Sequence, residues 1–162
     1  MEKEHSTEYL IGICHREKIN ISFQFLKHSC YENNSRTIWL NTDIYNYIRH
    51  VFSDKTIQIS EEQTYILAHE LGHYFVRQSP NYNVEEIYKI NFNLVYYFGL
   101  TKDDKENLIK HESLAWDWAE KTVKNFTKDL KKFYIVKEKC LNSYHEIKEF
   151  NVYSRHAWKT TK

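Results

Sequence analysis

The sequence predicts an α+β fold, mostly helical, in which a small β-sheet packs on one central helix. Three observations predict it. Only three glycines and one proline interrupt 162 residues, which excludes turn-dense β-sandwiches and low-complexity linkers and favours helices joined by short polar loops. Two long stretches open on residues that cap helices, Ser60 and Thr101. Near the N-terminus, residues 19–26 alternate apolar and polar side chains with the period of a half-buried strand.

The elements follow in order. Residues 2–18 read as a helix, with Tyr9, Leu10, Ile13 and Cys14 on one side and charged residues on the other. In the strand that follows, Ile19, Ile21, Phe23 and Phe25 alternate with Asn20, Ser22, Gln24 and Leu26. Glu32-Asn33-Asn34-Ser35 is a turn signal, and Thr37-Ile38-Trp39-Leu40 reads as a hairpin partner beyond it. Asp43 is placed to cap a short helix carrying Ile44, Tyr47, Ile48 and Val51. Ser60-Glu61-Glu62-Gln63 fits a capping box, opening a helix that runs to about Arg77 and stops before Pro80. Residues 84–98 are read as a helix ended by Gly99, although Asn91-Phe92-Asn93-Leu94 also alternates. Thr101 caps a long helix over 102–126, with Asp103 and Asp104 at its positive end. A further helix is expected over 128–150.

This length suits one domain with a core of its own, read as spanning 1–162 with a C-terminal helical extension over 126–162. Lys and Arg total 23 against 22 Asp and Glu, so no global field draws the chain to nucleic acid or an anionic membrane. Seven lysines between 121 and 139 read as a solvated helical face. Cys14, Cys30 and Cys140 are odd in number and form no CxxC pair, which points to a reducing compartment. No apolar signal segment follows Met1, and the run Leu94–Leu100 is far short of the roughly 20 residues a membrane span needs. A cytoplasmic location is the expectation.

The residues that carry chemistry are His69-Glu70-Leu71-Gly72-His73, in the middle of the best-capped helix. Positions i and i+4 share a helix face, so both imidazoles point the same way and can take two corners of a zinc tetrahedron. Glu70 sits about 100° round the helix, where it can act as general base without filling the site. This is the HExxH arrangement of zinc metalloproteases.

Such a site needs a third protein ligand and an open position. The metzincin continuation asks for Gly at 76 and His at 79, and the chain has Val76 and Ser79. A carboxylate from a second helix is the other solution, and Glu112 supplies it. Ala115 and Ala119 fall nearly on its side, small enough for that helix to approach the first, and Gly72 removes bulk opposite. His111, Glu85, Glu86, His145 and His156 stay open as competing ligands, whereas Asp117 lies too far round the helix from Glu112. Trp116 and Trp118 read as core aromatics rather than substrate platforms.

Leu67-Ala68-His69-Glu70-Leu71-Gly72-His73, followed by Glu112-x-x-Ala115-x-x-Trp118-Ala119, resembles the ImmA/IrrE family of metallopeptidases over roughly residues 5–125. The strands ahead of the HExxH helix come in that family's order. The interval between His73 and Glu112 is longer than the family's, through an extra element near 84–98, and Trp116-Asp117-Trp118 is bulkier. The resemblance implies a zincin-like core with His69, His73 and Glu112 on zinc and Glu70 as base. It further implies an intracellular protease that cleaves a DNA-binding repressor of a phage or mobile element, here a separate chain.

Zinc-dependent peptide hydrolysis is therefore the expected activity, with Zn2+ as the cofactor, a protein substrate and no direct nucleic-acid or membrane partner. The sequence does not single out an oxyanion donor or the groups that orient the metal-binding histidines. Two rival expectations remain. One is a non-catalytic interaction protein that keeps a structural metal site; the other is a nucleic-acid-binding regulator that uses the lysines of 121–139.

Overall fold

A computed structural model describes residues 3–25, 28–43, 46–47, 59–79 and 99–149. Among them are four helices and three strands, an α+β arrangement dominated by helix. Helix α1 (Lys3–Arg16) buries Leu10, Ile13 and Cys14, as its periodicity requires. Tyr9, expected on that side, is 48% exposed, with its ring against Phe126. The helix ends in a turn that places Lys18 at φ 55 and leads into β1 (Asn20–Gln24).

The sheet corrects the expected hairpin partner. The turn at 33–36 does join two antiparallel strands, but these are β2 (Cys30–Glu32) and β3 (Thr37–Asn41). The alternating segment, β1, instead lies parallel to β3, with Asn20 opposite Thr37 and Gln24 opposite Asn41. The strand order is β1-β3-β2. A parallel pair needs a connection of about a dozen residues, and the chain between β1 and β3 contains β2. Strand β2 is three residues long and shows no alternation in the sequence.

Helix α2 (Glu61–Arg77) starts as its capping box dictates. The Ser60 hydroxyl accepts from the Gln63 amide at 3.2 Å, and the Gln63 side chain accepts from the Ser60 amide at 2.9 Å. Every residue from Leu67 to Tyr74 is buried, because α1, the sheet and two later helices surround this helix. The Asp43 carboxylate accepts from the Asn46 amide at 2.9 Å, as a cap does. Ile44, Ile48 and Val51 of that expected helix, and the helix expected over 84–98, lie outside the described residues.

Helix α3 (Lys102–Val123) is capped by Thr101, whose hydroxyl accepts from the Asp104 amide at 3.1 Å. Helix α4 (Lys131–His145) is shorter than the expected 128–150. Helices α2 and α3 pack closely at Gly72. A Cβ there would stand 2.3 Å from the carbonyl oxygen of Ala115, so any side chain at position 72 would push the helices apart. Four of the seven lysines in 121–139 form ion pairs: Lys124 with Glu120, Lys132 with Glu61, Lys137 with Asp117 and Glu120, and Lys139 with Glu62. The last three tie α4 to α2 and α3, whereas Lys124 pairs within the end of α3 itself. Among the described residues, no helix is long and apolar enough to cross a membrane.

Candidate metal centre

Burying three ionisable groups on one helix is costly unless they are paired or hold an ion. His69, Glu70 and His73 are all buried in the middle of α2. The i,i+4 spacing brings the two imidazoles together, with Nε2 of His69 and Nε2 of His73 3.1 Å apart. Close approach at Gly72 lets α3 deliver Glu112. Its Oε2 lies 3.1 Å from His69 Nε2 and 3.4 Å from His73 Nε2.

Three donor atoms around one tetrahedral zinc, at bonds of about 2.0–2.1 Å, would stand ~3.3 Å from each other. The observed triangle of 3.1, 3.1 and 3.4 Å has that size. Glu112 Oε2 is buried and makes no hydrogen bond, although both ring nitrogens are close. A lone pair left in that condition fits a cation better than it fits the imidazoles. These three buried residues can hold a metal ion. Among the described residues, no fourth His, Cys, Asp or Glu joins them.

The surroundings hold each donor in place. Trp116, fully buried, stacks on His69 with ring centroids 4.3 Å apart and planes 17° from parallel. Trp118 stacks on Phe75, so both tryptophans belong to the packing. His111 does not enter the donor triangle. It points to the outer side of His73, its Nε2 2.9 Å from His73 Nδ1. Burial first, then the neighbouring His73, holds the His111 pKa down to about 3, so the ring is neutral. Asp117 is exposed and pairs with Lys137, away from the site, as its position round the helix implies. His145 is exposed, whereas Glu85, Glu86 and His156 lie outside the described residues.

Glu70 is 4% exposed, and the Tyr31 backbone in β2 works to lower its pKa. Burial pushes its pKa up to about 7, opposed by His73 and reinforced by the Glu112 charge. Glu112 behaves in the opposite way. Burial works to raise its pKa, but the adjoining His73 and His69 imidazoles outweigh it and hold the carboxyl well below the ordinary carboxylate range. Two carboxyl groups near one another are thus driven in opposite directions, the pattern of a proton-exchanging group beside a permanently ionised one.

Two contributors were not foreseen from the sequence. Tyr31 acts through its backbone amide, which no sequence motif marks. Tyr144, near the C-terminal end of α4, has its pKa raised by burial and then by the Glu112 charge; it lies far along the chain with no local signal. No protein-family model, curated protein or solved structure matches the chain.

Proposed function

We propose that this protein is a zinc-dependent metalloendopeptidase that hydrolyses a peptide bond in a protein partner. The observation that carries the proposal is the donor triangle of His69, His73 and Glu112, sized for a tetrahedral cation, with a buried carboxyl at Glu70 beside it. Zinc, when bound, would lower the pKa of water toward ~7 and polarise the scissile carbonyl. His69 and His73 supply neutral nitrogens, and Glu112 supplies the one negative charge among the donors. Glu70 follows His69 directly and stays outside the triangle; it accepts the proton of the attacking water and returns it to the leaving amine. The Tyr31 backbone, on the sheet side, favours the ionised form of the Glu70 carboxyl.

The resemblance to ImmA/IrrE metallopeptidases supports a substrate class: a DNA-binding repressor of a phage or mobile element, present as a separate chain in the cytoplasm. The test combines metal analysis of the purified protein with co-expression of candidate repressors encoded beside it. The expected result is one zinc per chain and cleavage that falls at least ~100-fold in Glu70→Gln, the lower end of what a general base contributes. Full cleavage by a Glu70→Gln protein that keeps its zinc would remove Glu70 from the mechanism.

A second reading draws on one observation. Glu70 is 4% exposed, and such burial also suits a metal centre kept for stability in a non-catalytic interaction protein. Zinc retained with no hydrolysis of any partner would favour it.

A further inference from the structure

A cleft of about 430 Å³ lies between the turn that joins β2 to β3 and the last turns of α2. The buried rings of Tyr31 and Tyr74 line it and meet edge to face, 5.8 Å apart. A guanidinium lies over each ring: Arg36 at 5.4 Å from the centre of Tyr74, and Arg77 at 5.7 Å from that of Tyr31. The amides of Asn33, Asn34 and Gln78 complete the lining, so the described residues around the cleft bring two positive charges and no carboxylate. We propose that this cleft recognises an acidic side chain of a protein partner, receiving its carboxylate between Arg36 and Arg77.

Arg36 is fixed along one edge. Its Nε donates to the Lys18 carbonyl at 3.4 Å, and its Nη2 donates to the Glu17 carbonyl and to the Tyr74 hydroxyl, the latter at 3.2 Å. These acceptors are uncharged. The Glu17 carboxylate stands behind the Tyr74 hydroxyl, accepting from it at 3.0 Å, and has Arg16 Nε at 3.7 Å. Arg36 also stands at φ 48, in the left-handed region that glycine and asparagine adopt more readily. The turn thus holds a long cation where a small residue would fit with less strain. A guanidinium has five N–H donors, of which a carboxylate needs two, and a planar fork already packed on an aromatic face is pre-organised to supply them. Two arginines suit a single carboxylate, whereas a nucleic-acid backbone needs a track of cations.

The cleft also has a defined place relative to Glu70. Glu70, Tyr74 and Arg77 are i, i+4 and i+7 on α2 and share one face. Seven residues of helix rise about 10 Å, the span of roughly three residues of extended chain. A substrate with its scissile bond near Glu70 would therefore put an acidic residue about three positions away into the cleft; this role in substrate selection rests on the metallopeptidase reading above.

The test has a binding arm that needs no catalysis. The probe is a pentapeptide with blocked ends and one central glutamate, titrated into the 15N-labelled protein against the same peptide with glutamine. The glutamate peptide is expected to shift the side-chain amide signals of Asn33, Asn34 and Gln78, and the glutamine peptide is not. Arg77→Met and Arg36→Met are each expected to weaken glutamate binding at least ~10-fold, the lower end for a hydrogen bond to a charged group. If one variant fails to fold, the other decides. Equal shifts from both peptides, or an unchanged Kd in a folded variant, would overturn the proposal. Inorganic phosphate that gives the same shifts at lower concentration would mark a phosphate site and overturn it too. In the second arm, the zinc-loaded protein is given a random peptide library, and the fragments are expected to be enriched in Asp or Glu about three residues from the cut. Cuts without that enrichment would overturn the role in substrate selection. No hydrolysis, with glutamate binding intact, would overturn the metallopeptidase reading instead.

Discussion

His73 Nδ1 lies 2.9 Å from His111 Nε2, so one buried imidazole stands directly behind another. A histidine that binds a cation through Nε2 is neutral and carries its proton on Nδ1. His111, kept neutral by burial, is then the acceptor of that proton and fixes both the tautomer and the tilt of His73. His111→Ala is expected to raise the zinc Kd 10–100-fold, measured by chelator competition. An unchanged Kd would show that His73 needs no support.

Gly72→Ala tests the helix contact on which the donor triangle depends. The added Cβ meets backbone atoms of Ala115, at 2.3 Å from the oxygen and 2.9 Å from the carbonyl carbon. Overpacking of this kind typically costs about 1–3 kcal/mol, occasionally more, read from urea unfolding. Because the clash is with backbone, Ala115→Gly in the same chain is expected to give no rescue. Full rescue would place the contact elsewhere.

Metal removal is expected to lower stability as well as activity. An ion that binds only the folded chain stabilises it by about 4 kcal/mol at a thousandfold excess over Kd. The thermal midpoint should therefore rise with added zinc, and a chelator should reverse the rise. His69→Ala should abolish this response. A midpoint insensitive to zinc in the wild-type protein would contradict the assignment of the three donors.

Glu120 supplies a pH test remote from the metal. Lys124 at 2.7 Å, Tyr134 at 2.9 Å and Lys137 at 3.2 Å surround its carboxylate. The hydrogen bond from Lys124 is the main cause of a pKa lowered to about 2. A carboxyl whose folded pKa is depressed contributes stability above its ordinary value near 4.5, and that contribution is lost as pH falls toward 2. Glu120→Gln is expected to cost less than about 1 kcal/mol at neutral pH. The gap to wild type should close between those two pH values in urea unfolding; a gap constant with pH would contradict it.

The thiols should separate by burial. Cys14 is fully buried, and burial pushes its pKa up to about 12, whereas Cys30 is exposed. A thiol reagent is expected to modify Cys30 in the native protein and Cys14 only after unfolding. Rapid native modification of Cys14 would show that α1 opens readily.

The helical frame was legible because its signals are local. Ser60 reads Gln63 and Thr101 reads Asp104 three residues away, and His69 reads His73 one turn on. Glu112 was legible for a different reason: small residues on two helices, Gly72 and Ala115, announced where those helices meet. What escaped was long-range and made by backbone or by single atoms. Strand β2 is too short to show a period, the parallel pairing of β1 with β3 leaves no mark in either strand, and the Tyr31 amide would serve equally well with almost any side chain. His111 stands out in the sequence as a candidate ligand because imidazole chemistry is visible there. That it stands behind His73 is set by the crossing of α2 and α3.

The indole of Trp116 lies flat against His69. A cation bound at that imidazole would sit one ring away from a native fluorophore, so occupancy would be readable from the tryptophan emission without a dye or a substrate.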